Sequence, residues 1–100
     1  MRELPTPLPG MRLLPWTSPD GKPCYLRTDN NQSRLSLLAD DIEDTHLTNG
    51  QDVLAGAKEV LADDDAGERA VRFALGRATE CLADLLLVAV SRGARISPEG

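Results

Sequence analysis

The stretch from Ala66 to Arg92 constrains the fold of this chain more than any other. Within it Val71, Ala74, Leu75, Ala78, Leu82, Leu85, Leu86 and Ala89 fall inside about a 120° arc at 100° per residue. That periodicity predicts a long amphipathic helix over 66–92, with this arc as its core face. Asp65 and Glu68 have capping-box-like spacing, and acidic residues there suit the positive end of a helix dipole. Gly93 follows Arg92 as a natural C-cap.

A second helix is predicted over 33–61. Leu35, Leu38, Ala39 and Ile42 recur at helical spacing, with Asp40, Asp41, Glu43 and Asp44 mainly on the wet side. Asp29-Asn30-Asn31-Gln32 is a turn cluster that announces the helix start. Asn49-Gly50 is ambiguous, because glycine costs about 1 kcal/mol in a helix interior. The apolar phase nevertheless continues through His46, Val53, Ala57 and Val60, which favours one helix, kinked at most, over two. Ala62-Asp63-Asp64-Asp65 is a short connector, so the two helices should lie antiparallel.

Upstream, Ser18-Pro19-Asp20-Gly21 is a type I turn signal, and residues 11–28 read as a β-hairpin around it. Alternation places Leu13, Cys24 and Leu26 on one face and Leu14, Trp16 and Tyr25 on the other. Pro15 and Pro23 each remove a ladder donor and mark edge strands. Residues 1–10, with prolines at 5, 7 and 9, form a flexible extended arm that can also lie over the core. Residues 94–100 are a tail. The predicted fold class is mainly α (α+β): one domain over 11–93, its β-hairpin packed on a long helical hairpin.

Composition agrees with that class. The chain has 100 residues, enough for one domain, and only 3% aromatics, so its core must be built from Leu, Val, Ile and Ala. The net charge of −5 is unevenly placed. Residues 40–68 carry ten acidic and one basic side chain, whereas 1–39 and 69–100 each carry five basic and three acidic. The middle of the chain would repel a phosphate backbone, which argues against nucleic acid and for a protein partner. Leu85 to Val90 is the longest apolar run, far below the ~20 residues of a membrane span. With no secretory signal and two isolated cysteines read as reduced, the expected location is cytoplasmic.

No residue set resembles a catalytic or metal-binding apparatus. His46 is the sole histidine and sits on the apolar stripe, where a boundary histidine bonded to a carboxylate or water is expected. Cys24, Cys81 and His46 lack the paired spacing of a zinc site. Asp63-Asp64-Asp65 lacks the alternate-ligand spacing of a calcium loop and reads as a solvated cap. Arg77 and Glu80 form an i,i+3 pair. No cofactor is implied.

The helix over 66–92 carries one anomaly. Beyond its arc lie Phe73 and Leu87, with Cys81, Val88 and Val90 around the sides, so its last turns are apolar nearly all round. Either the β-hairpin and arm cover this second side, or it is a homodimer or partner interface. On the interface reading the contact residues are Phe73, Leu87, Val88 and Val90, with Trp16 and Tyr25 as second choice.

Leu8-Pro9-Gly10-Met11-Arg12-Leu13-Leu14-Pro15-Trp16, Pro19-Asp20-Gly21-Lys22-Pro23-Cys24-Tyr25-Leu26, Leu38-Ala39-Asp40-Asp41-Ile42-Glu43 and Ser91-Arg92-Gly93-Ala94-Arg95 together resemble a group of short uncharacterised actinobacterial proteins. Those are similar to small accessory proteins found beside helix-turn-helix regulators and anti-sigma-type ATP-binding proteins. The resemblance covers most of the chain and transfers no catalytic residue; it implies a regulatory, protein-binding role. The expected function is therefore a non-enzymatic regulatory or adaptor protein acting through protein contacts, as a homodimer. Two alternatives remain open. One is a small-molecule-binding or enzyme-accessory domain with a pocket between hairpin and helices. The other is an acidic decoy using Asp40 to Glu68.

Overall fold

The computed structural model describes residues 4–27 and 33–95. Its order is β1 (Met11–Thr17), β2 (Pro23–Arg27), α1 (Arg34–Ala62) and α2 (Glu68–Arg95). This is the predicted α+β architecture, a two-stranded antiparallel hairpin packed on a helical hairpin. The 29–32 turn cluster, Thr28 and the end of the tail lie outside the described residues.

The turn between the strands is closed by the Gly21 amide donating to the Ser18 carbonyl at 2.8 Å. Gly21 takes φ +83°, which a side chain would resist. A second turn precedes β1. The Met11 amide donates to the Leu8 carbonyl at 3.1 Å, with Pro9 and Gly10 between them and Gly10 at φ +71°. Proline then glycine at the two central positions is a type II signal. The arm is thereby turned back over α2, and the Tyr25 hydroxyl donates to the Thr6 carbonyl at 2.8 Å.

The hairpin register differs from simple alternation. Leu13 pairs with Tyr25 and Thr17 with Pro23, so Leu14, Pro15 and Trp16 together stand opposite Cys24. Pro15 has no amide to give the ladder, and the strand bulges there. Leu13 therefore shares a face with Tyr25, correcting the expected grouping with Cys24 and Leu26. The bend also buries Arg12, Leu13, Leu14 and Pro15 consecutively. β1 lies chiefly against α2.

Ser33 caps α1, its hydroxyl accepting from the Ser36 amide at 3.1 Å. The helix runs without a break through Asn49-Gly50. Its buried or half-buried residues are Ser36, Ala39, Glu43, His46, Gly50, Val53, Ala57 and Val60, with half-buried Ile42 beside them. Those eight alternate by three and four, the seam of a coiled coil. A Cβ on Gly50 would stand 2.8 Å from Leu85 Cδ1. Gly50 is thus the hole for Leu85 rather than a helix breaker. Gly50→Val should lose about 1–3 kcal/mol in urea denaturation despite its better helix propensity, because the stiff side chain displaces Leu85.

Both ends of α2 differ from expectation. The Asp63 carboxylate accepts from the Asp65 amide at 2.9 Å, and the Asp63 carbonyl accepts from the Ala66 amide at 3.0 Å. That local turn occupies 63–66, so the helix begins at Glu68 and Asp65 does not cap it. Gly93 is not a C-cap either. It lacks a positive φ, and the helix continues to Arg95.

Candidate protein-interaction face

Two polar links fasten the sheet to the open end of the helical hairpin. Arg12, on β1, is 5% exposed, and Glu43, on α1, is fully buried. Arg12 Nη1 donates to the Ser36 carbonyl at 3.1 Å and to its hydroxyl at 2.9 Å. Arg12 Nη2 donates to Asp40 Oδ1 at 2.7 Å and to Glu43 Oε2 at 3.3 Å. From α2, Arg92 Nε donates to Glu43 Oε1 at 3.0 Å. Hydrogen bonding to Glu43 is the chief reason the Arg92 pKa is raised, so that side chain stays cationic. Glu43 was expected on the wet side; it is instead a buried clamp joining all three elements. Both its oxygens face guanidinium groups away from solvent, a geometry that fixes packing.

His46 forms the second link. Its Nε2 lies 3.0 Å from the Pro15 carbonyl. A carbonyl only accepts, so Nε2 carries the proton. Nδ1 stands 3.6 Å from Asp84 Oδ2 on α2, beyond hydrogen-bond range. The partner of His46 is thus a backbone carbonyl rather than the carboxylate or water its place in the sequence suggests. Arg77 and Glu80 pair at 2.9 Å as expected. Among the described residues no group of three or more His, Cys, Asp or Glu could hold a metal, and no helix is long and apolar enough to cross a membrane.

The apolar surface lies elsewhere than expected. Of the residues predicted for contact, Val88 is only 3% exposed, Leu87, Val90, Trp16 and Tyr25 are half-buried, and Phe73 stands 69% exposed on its own. Val88 extends the buried seam of Ala74, Ala78, Cys81 and Leu85 by three residues, and β1 packs on this end of α2. Conversely, the arc predicted as the core of α2 is largely outside: Val71, Leu75, Leu82 and Leu86 are all exposed. The reason is the composition of the seam. Gly50, Val53 and Ala57 face Ala74, Ala78, Cys81 and Leu85; all but Val53 and Leu85 are small, and Leu85 fits because Gly50 has no side chain. The larger leucines are left on the flank.

That flank is continuous. Gly50 opposite Leu85 and Glu43 opposite Arg92 define the antiparallel register. In that register Leu47 lies level with Ala89, Leu54 with Leu82, and Leu61 with Leu75. Residues seven apart share one side of a helix, so Leu47, Leu54 and Leu61 form one row and Leu75, Leu82 and Ala89 a parallel one beside it. Leu86, one turn beyond Leu82, widens the second row. The six leucines range from 41% to 84% exposed. Stepping seven residues outward from the rows reaches Asp40 on α1 and Glu68 on α2, so charges close the strip at its ends. In sequence, the signal for this face is the recurrence of leucine at 47, 54 and 61, one position off the stripe through Val53 and Val60.

Comparison with protein-family models, with curated proteins and with solved structures finds no match to this chain.

Proposed function

We propose that this chain is a cytoplasmic, non-enzymatic adaptor or regulatory protein that works through protein contacts made by the leucine face. The observation that carries this reading is the strip itself. Six leucines expose on the order of 600 Å² of charge-free surface, at or above the largest patch usual for a monomer. The polar side chains along its edges, Gln51 and Lys58 beside one row and Arg72 and Thr79 beside the other, give it the apolar centre and polar rim of an interface. The sequence resemblance described above points to the same regulatory role. The test is co-purification at native expression level. Proteins recovered with the wild type should be lost with Leu54→Glu/Leu82→Glu and kept with Phe73→Glu. Unchanged recovery with the double variant contradicts the reading.

A second reading rests on a groove of about 960 Å³ between the arm, β1 and the end of α2, lined by Leu4, Pro7, Met11, Val90 and Ala94. Its volume suits a small molecule. The groove is open, and Leu4 and Leu8 remain exposed beside it, so it ranks below the leucine face. A thermal-shift screen separates the two, since only the groove reading requires a stabilising metabolite.

A further inference from the structure

We infer that the occupant of the leucine face is the same face of a second copy, so that two helical hairpins close into a four-helix bundle. This rests on the reading above, which it sharpens by naming the partner. Four observations converge on it. First, the middle of the hairpin's internal seam is built mostly from small residues (Gly50, Ala57, Ala74, Ala78 and Cys81), with Leu85 as its one leucine, while six leucines stand outside. A hairpin that packed only on itself would place them the other way round; one whose main core lies between hairpins would look like this. Second, the face is self-complementary. Its two rows have the same spacing and end at the same levels, so a two-fold axis in the plane of the face sets leucine rows on leucine rows.

Third, the size fits. Roughly 600 Å² from the leucines, with Val71 and the rim residues added, approaches the ~800 Å² per partner of a stable interface. From Leu47 to Leu61 the strip runs about 21 Å, four turns of helix. Fourth, no charge lies between the rows. A two-fold axis brings like against like, so a self-pairing face must keep charges to its margins, as Asp40 and Glu68 are kept here.

The test is light scattering coupled to gel filtration on the full chain over a range of concentrations, with three variants. Wild type and Phe73→Glu should run at twice the 10.8 kDa chain mass. Leu82→Glu should raise the dimer dissociation constant by about a hundredfold or more, because each dimer then buries two unpaired carboxylates. Leu82→Ala covers the case in which the Glu variant does not fold: it should stay helical by circular dichroism and still dissociate more readily than wild type. A dimer indifferent to both Leu82 substitutions overturns the inference together with the assignment of the face. A wild type that stays monomeric overturns the second copy alone, provided it binds anilinonaphthalene sulfonate brightly and Leu54→Glu/Leu82→Glu abolishes that signal. A monomer that does not bind the dye overturns both readings.

Discussion

Replacing Glu43 with alanine should cost about 3–5 kcal/mol of folding free energy, the largest effect expected of any single truncation in the helices. The carboxylate is fully buried, and it is where β1 and α2 meet α1. Its removal leaves the Arg12 guanidinium, itself 5% exposed, with Asp40 as its remaining ionic partner. Asp40 is half in solvent and cannot replace an internal counter-ion. Arg92 loses less, since it is 42% exposed and keeps Asp44 at 3.5 Å. Urea denaturation of Glu43→Ala checks the magnitude. The companion experiment is Glu43→Leu combined with Arg12→Met. Removing both charges for apolar groups of similar size should recover most of the loss, because a buried ion pair contributes little net stability although breaking it is costly. A Glu43→Ala loss below about 1 kcal/mol would mean that the clamp does not hold the sheet to the helices.

The second large effect separates two faces of the same helix. Val88→Asp should destabilise the fold by about 3 kcal/mol or more, since it buries a carboxylate at a position only 3% exposed, and Arg92, one turn on, is already paired with Glu43. Leu75→Asp, thirteen residues earlier on the leucine face, should leave the helical content of the chain intact, because that position is already 65% exposed. Its effect should fall on association instead. Circular dichroism melts of the two variants at matched concentration make the comparison. If Val88→Asp melts like wild type, Val88 does not lie in the packed core of α2.

That contrast also marks how far the sequence could be read. The two helices, their antiparallel pairing and the β-hairpin were legible because each has a local signature: the 3.6-residue period, the short acidic connector, and Ser18-Pro19-Asp20-Gly21. The phase of α2 against its neighbours was not. A helical wheel ranks faces by apolar content and so sends the richest arc to the core. What decides the phase is the opposing surface, and α1 offers a seam of glycine, alanine and valine into which only Ala74, Ala78, Cys81 and Leu85 fit. The burial of β1 depends on the bulge around Pro15, where four successive residues are buried and alternation predicts two. The place of Glu43 is hidden for a related reason. Its charge argues for solvent, and only its seven-residue spacing from Ser36 and Gly50 reveals that it lies in the seam. The arginines that neutralise it come from 31 residues before and 49 residues after, separations no local pattern can connect.

The elongated outline fits the same account. The radius of gyration is 16.2 Å, against about 13 Å for a compact domain of this length. A molecule 53 Å in its longest dimension, with mostly small residues in the middle of its helical seam, has little core of its own. On this account the stability of the chain is shared between the clamp around Glu43 at one end and the leucine face along its length.

Sedimentation equilibrium of the wild-type chain from about 1 to 200 µM tests that account most directly. It predicts a mass of twice 10.8 kDa over the upper part of the range, with dissociation only on dilution. A single 10.8 kDa species at every concentration would contradict it.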